Sequence, residues 1–122
     1  MAPNIVLFLT DQLRRDALGC YGNSICQTPH LDGLAQNGIQ FENAFTTSPV
    51  CSPARASLMT GLYPHNHGVM INTHIRPAWL LGLSPDLPTF SGLLKDVGYD
   101  LDYAGKWHVH QELGPEAFGF TR

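Results

Sequence analysis

The chain has 122 residues, 43% of them hydrophobic, 14% charged and 10% aromatic, and a net charge of −3 with His neutral. This is the size of one modest domain, with enough apolar material for a core and too much for a disordered chain. Seven Lys and Arg against ten Asp and Glu leave no basic excess, which argues against a nucleic-acid binder acting by bulk charge. No apolar run approaches the ~20 residues of a membrane span.

The start, Met1-Ala2-Pro3-Asn4, has no basic segment, and the apolar residues 5–9 are too few for a signal peptide. The expected location is the cytoplasm, or the periplasm or exterior if an export signal was removed. Residues 4–10 form an unbroken apolar run rich in β-formers, which predicts a central strand of a parallel sheet, buried on both faces. The three cysteines, Cys20, Cys26 and Cys51, contain no CxxC pair, and their odd number excludes a fully paired disulfide framework. Thr28 and Pro29 suit the cap and first position of a short helix through Leu31, Leu34 and Ala35, with Gly38 as its stop. Residues 39–45 alternate and predict a strand. Residues 53–60 predict a helix ended by Gly61, with Ser52 or Cys51 as its cap. Residues 87–97 predict another helix, with Phe90, Leu93, Leu94 and Val97 on one stripe and Gly98 after it. Residues 99–104 predict a strand leading into Gly105 and Lys106. Strands alternating with helices indicate an α/β fold with no internal boundary. Such sheets bind ligands at the carboxyl ends of their strands. Chemistry is therefore expected at Asp11-Gln12, at Lys106-Trp107-His108, and in the turn before the Pro53 helix.

Each of these places has a plain reading beside a chemical one. Cys51 would lie at the positive end of a helix dipole, and Arg55, one turn later, can reach the same side. Equally, Cys51 could be an ordinary buried cysteine and Arg55 a solvated one. A cysteine-phosphatase loop is excluded, because it requires Arg where Ser57 stands. Asp11 could simply cap a helix, yet Asp11 and Gln12 are hard oxygen donors suited to Ca²⁺ or Mg²⁺. Lys106 and His108, one residue apart, would share a face on an extended chain. Together a cation and an imidazole can hold a tetrahedral anion and move a proton; the plain reading is a surface Lys and a satisfied His. The pairs His65-x-His67 and His108-x-His110 lack further soft ligands at zinc spacing. Arg14 and Arg15 are expected on the surface, and Cys20 and Cys26 as ordinary thiols.

The run Cys51-x-Pro53-x-Arg55, continued as Ala56-Ser57-Leu58-Met59-Thr60-Gly61, resembles the signature of the sulfatases of the alkaline phosphatase-like superfamily. The segments from Asn4 to Gln12, from Thr28 to Ala35 and from Gly98 to His108 resemble further motifs of that family, in the same order. The resemblance implies an alkaline phosphatase-like α/β sandwich around a mixed, mostly parallel sheet, incomplete here. Residues 1–122 would be the N-terminal portion of a single catalytic domain, truncated and inactive alone. It further implies hydrolysis of a sulfate ester, as in arylsulfatases, with Cys51 oxidised to formylglycine and with Arg55 and His108 also catalytic. Pro53 and Arg55 would be read by a formylglycine-generating enzyme. Formylglycine hydrates to a diol, giving the covalent sulfate ester an internal exit that an ordinary Ser or Cys lacks. Asp11, Gln12 and residue 51 would bind Ca²⁺, with Mg²⁺ possible; many members carry a second Asp where Gln12 stands. Lys106 would bind the sulfate, and His108 would hydrogen-bond the formylglycine hydroxyl. The implied partners are a sulfate-ester small molecule or carbohydrate, the modifying enzyme and the remainder of a parent chain that supplies later metal ligands. A phosphate or phosphonate monoester hydrolase on the same fold, or a non-catalytic fragment, are the alternatives.

Overall fold

The computed structural model describes residues 2–75 and 81–121. The chain packs as two compact units, Met1–Ala44 and Phe45–Arg122.

In the first unit, two short 3₁₀ turns, Arg15–Ala17 and Gly19–Tyr21, precede helix α1, Pro29–Asn37. Thr28 precedes the helix and Pro29 opens it, as the sequence predicts. The Thr28 hydroxyl, however, serves the loop rather than the helix. It accepts the Gly19 N–H at 2.8 Å and donates to Asp32 Oδ1 at 3.0 Å. Asp32 also accepts the Cys20 N–H at 2.7 Å, so a carboxylate in the first turn of α1 holds the preceding loop. Gly38 follows the helix in an extended conformation, without a left-handed cap.

Residues 4–10 do not form the predicted buried strand. Among the described residues no strand ladder forms; Gly82 and His110 pair as an isolated antiparallel bridge. Val6 and Phe8 are 89% and 81% exposed. A strand needs hydrogen-bonding neighbours on its edges and a layer over each face, and no described residue supplies either to this run. Residues 39–45 fail as a strand for the same reason, leaving Ile39, Phe41 and Phe45 exposed.

The second unit carries the core: Ala56, Met59, Val69, Leu83, Leu101, Val109, Phe118 and Phe120. Helix α2, Cys51–Thr60, contributes Ala56 and Met59 and ends at Gly61, whose φ of 71° permits the bond from its N–H to the Ser57 carbonyl. Helix α3, Pro64–His67, has no counterpart in the sequence expectations. Helix α4, Phe90–Asp96, is shorter than the expected 87–97. Pro88 cannot donate, and Thr89 caps the helix by accepting the Gly92 N–H at 3.1 Å, which fixes the start at Phe90. Its inner face also differs from expectation. Ser91 is buried with Phe90 and Leu94 against the core, whereas Leu93 and Val97 are exposed. The reason is local: the Ser91 hydroxyl donates to the Phe118 carbonyl at 2.5 Å and orients the helix on that residue. Residues 99–104 are irregular, with Leu101 buried and its carbonyl accepting the Thr121 N–H at 2.7 Å. Tyr103, Trp107, Phe118 and Phe120 pack largely edge to face around this segment.

The histidines of His65-Asn66-His67 are used separately. His65 is exposed and stacks on Tyr63. His67 is buried; its Nδ1 accepts the Val69 N–H at 3.1 Å, so its Nε2 carries the proton and donates to Ser57 Oγ at 3.0 Å. Thr47 donates to the same oxygen at 2.8 Å. The imidazole therefore offers Ser57 a proton instead of removing one. This Ser–His pair braces α2 against α3 and does not activate a nucleophile.

Candidate active site

Helix α2 begins two residues earlier than Pro53. Val50 is its N-cap, without a side-chain cap, and Cys51 is the first helical residue. Pro53 lies inside the first turn, where the backbone N–H it lacks would have had no helical partner. The orphan Ser52 N–H is satisfied from outside by Asn72 Oδ1 at 3.0 Å, and Ser52 Oγ accepts the Thr73 N–H at 3.1 Å. Cys51 is thus a half-buried thiol at the positive end of a well-anchored helix.

Lys106 donates to Cys51 Sγ at 3.4 Å. Its own carbonyl receives two donors: Arg55 Nη1 at 2.5 Å and the Tyr103 hydroxyl at 2.5 Å. Arg55 is buried, 8% exposed, which settles it against a solvated position. It sits one turn after Cys51 and grips the backbone of the residue whose ammonium reaches Cys51. Gly105, at φ 113°, makes the turn that brings Lys106 back toward the helix. The Lys106 ammonium and the N-terminus of α2 meet at position 51, with Arg55 holding the Lys106 backbone behind them. Such a surround stabilises an anionic group there.

His108 departs from the expectation that it shares a face with Lys106. Its φ is 55°, so the chain is not extended at this point and the alternation that would align the two side chains is broken. The ring goes instead to His74, Nε2 against Nδ1 at 3.0 Å, with centroids 5.1 Å apart and planes 14° from parallel. Asp11 and Gln12 lie in the first unit and are exposed; Gln12 is also left-handed, at φ 56°. Among the described residues no three His, Cys, Asp or Glu side chains gather as a metal cage.

Asn72, His74 and Tyr103 were not singled out by sequence. Asn72 and His74 sit in a stretch without periodicity or motif, and Tyr103 reads there only as one β-former among others.

The chain matches the family model "Sulfatase" over residues 3–121. It is 44% identical over 107 residues to an ulvan-active sulfatase of Formosa agariphila, covering 88% of this chain and 20% of that protein. Among solved structures it is similar to Ps i-CgsB, at 36% identity and a TM-score of 0.91, covering 99% of this chain and 27% of that one. It is also similar to BT4656 in complex with its substrate D-glucosamine-2-N,6-O-disulfate, at 32% identity and a TM-score of 0.71, covering 87% of this chain and 19% of that one. The chain spans about a fifth of the length of the curated relatives it matches. Cys51, Arg55 and Lys106 meet in the second unit, in a stretch matched by the family model along nearly its whole length. The chain belongs to the sulfatase family.

Proposed function

We propose that this chain carries part of the active centre of a sulfuric ester hydrolase, with residue 51 as the nucleophile after oxidation of its thiol to formylglycine. The observation that carries the reading is the contact of Lys106 Nζ with Cys51 Sγ at the start of α2, with Arg55 holding the Lys106 backbone from behind. When formed, the formylglycine supplies a hydrated aldehyde whose oxygen attacks sulfur and whose second oxygen later releases the sulfate. Lys106 binds the sulfate oxygens as the ester approaches position 51. Arg55 fixes that ammonium in place and adds positive potential as charge shifts onto the sulfate in the transition state. His108 takes up the proton that leaves residue 51.

Asp11 and Gln12 fit a hard cation in kind, since both offer oxygen and one is charged. They would serve as oxygen ligands to Ca²⁺ or Mg²⁺, a cation that would supply Lewis-acid polarisation of an attacking oxygen. The proposed substrate class is a sulfated carbohydrate, supported by the similarity to a structure that holds a sulfated glucosamine.

The test uses the protein carrying this sequence, co-expressed with a formylglycine-generating enzyme. Peptide mass spectrometry across Cys51 should show loss of the thiol sulfur and gain of a carbonyl oxygen. Sulfate should be released from 6-O-sulfated glucosamine, and an aryl sulfate should turn over faster than the matching aryl phosphate. Cys51→Ala should abolish release. Faster turnover of the phosphate, or sulfate release by Cys51→Ala, would overturn the reading.

A further inference from the structure

We infer that His74 is the positioning residue of His108, setting which of its ring nitrogens carries a proton and which way the ring faces; the inference rests on the sulfatase reading of the site. The two nitrogens are 3.0 Å apart, a hydrogen-bond distance. At that distance one must present N–H and the other a lone pair. If both rings were protonated, two N–H groups would oppose each other. The tautomer of His108 is therefore tied to that of His74. The ring planes lie 14° from parallel with centroids 5.1 Å apart, the edge-to-edge arrangement that an in-plane N–H···N bond requires and that fixes how the His108 ring is turned.

The contact is built rather than incidental. Residues 72–74 are tied on one side to the residue next to the proposed nucleophile, through Ser52 N–H to Asn72 Oδ1 and Thr73 N–H to Ser52 Oγ. On the other side the Gln111 side-chain amide donates to the Thr73 carbonyl. The segment after His108 is pinned in turn. Leu83 N–H donates to the Val109 carbonyl at 3.1 Å and Gln111 N–H to the Leu81 carbonyl at 3.0 Å. These bonds hold His108 in a left-handed backbone that a non-glycine residue seldom adopts. A chain of contacts thus runs from position 51 through Ser52 and residues 72–74 to the His108 ring. Because His74 is exposed and His108 half-buried, His74 can also pass the proton taken up by His108 to water. A proton taken up on the other His108 nitrogen lets His108 Nε2 pass its own proton to His74 Nδ1, and the far nitrogen of His74 releases one to water, so both rings end neutral.

The test compares His74→Phe, which keeps a planar ring without nitrogen, with His74→Ala and His74→Asn. The full enzyme is used throughout, and His65→Ala serves as the surface control. Two readouts are followed: kcat and KM for a sulfate ester, and the rate of carbethoxylation of His108 by diethylpyrocarbonate, read by peptide mass spectrometry. Loss of the hydrogen bond should lower kcat roughly tenfold in both Phe and Ala with KM little changed. His74→Asn, which retains a polar partner, should recover part of it. Freed from its partner, His108 should react several-fold faster in His74→Phe as well as in His74→Ala. Unchanged His108 reactivity in both, or full kcat in His74→Phe, would overturn the inference. Faster His108 reactivity in His74→Phe, combined with a parent enzyme that turns over no sulfate ester, would support the pairing and overturn the sulfatase reading instead.

Discussion

Arg55 and Tyr103 converge on one acceptor, the carbonyl of Lys106, and this makes their contributions separable. Tyr103→Phe keeps the ring in its edge-to-face contacts with Trp107 and Phe120 and removes a neutral donor; it should cost about 0.5–1.5 kcal/mol in urea unfolding. Arg55→Lys retains charge but loses the planar fork, and a shorter reach leaves the carbonyl to Tyr103 alone. That change should cost about 1.5–3 kcal/mol and lower turnover more than Tyr103→Phe does, since it also removes the brace beside position 51. Equal effects of the two variants on turnover would show that Arg55 acts only through the shared carbonyl. The residues of this site divide by how they could be read. Cys51, Arg55, Lys106 and His108 stand in short frames whose spacing carries chemistry. Asn72, His74 and Tyr103 act on those residues from irregular segments, where no period or motif marks a side chain as a partner.

At the scale of elements, helices α1, α2 and α4 are legible in the sequence, and α3 and the strands are not. Helices α1, α2 and α4 close most of their hydrogen bonds within themselves, so Pro29, Gly61 and Thr89 mark their ends wherever the rest of the chain lies. A strand is defined by its neighbours, and the alternation in residues 39–45 found none. What replaces a sheet there, among the described residues, is an isolated bridge between Gly82 and His110. A Cβ added at Gly82 would lie 2.5 Å from both His110 Cα and the Val109 carbonyl oxygen. These are backbone atoms that cannot move aside, so Gly82→Ala should separate the two segments. The expected result is a lower denaturation midpoint together with lost turnover, because residues 108–111 carry His108. A Gly82→Ala enzyme with unchanged midpoint would show that this bridge is dispensable. His110 itself gives the element a pH dependence. Burial pushes its pKa below the ordinary 6.5, against an opposing pull from Glu112. Its Nδ1 accepts the N–H groups of Glu112 and Leu113, a role open only to an unprotonated nitrogen. As pH falls below about 6.5 the unfolded chain takes up this proton before the folded one, so stability should fall through that window and down to the lowered pKa. Urea midpoints at pH 7.5 and 5.5 should differ less in His110→Asn than in the parent. An equal difference would assign the acid sensitivity to another group.

At the scale of the chain, the described residues leave the apolar run of residues 4–10 uncovered, and the consequences can be measured. Ile5, Val6, Leu7, Phe8 and Leu9 are each about half exposed or more, and Leu13, Ile39 and Phe41 in the same unit are exposed too. Apolar area of this kind in water favours association at ~25 cal/mol per Å² removed from solvent. Open backbone donors and acceptors along a β-forming run add a template for pairing between chains. The second unit keeps a contiguous core. Residues 1–122 prepared alone should therefore self-associate in a concentration-dependent way, seen by sedimentation velocity. Val6→Lys with Phe8→Asp, at the two most exposed positions of the run, should shift the distribution toward monomer without altering the thermal transition of the second unit. Were the parent chain monomeric at high concentration, or the double variant equally associated, residues 4–10 would not be the surface that drives assembly.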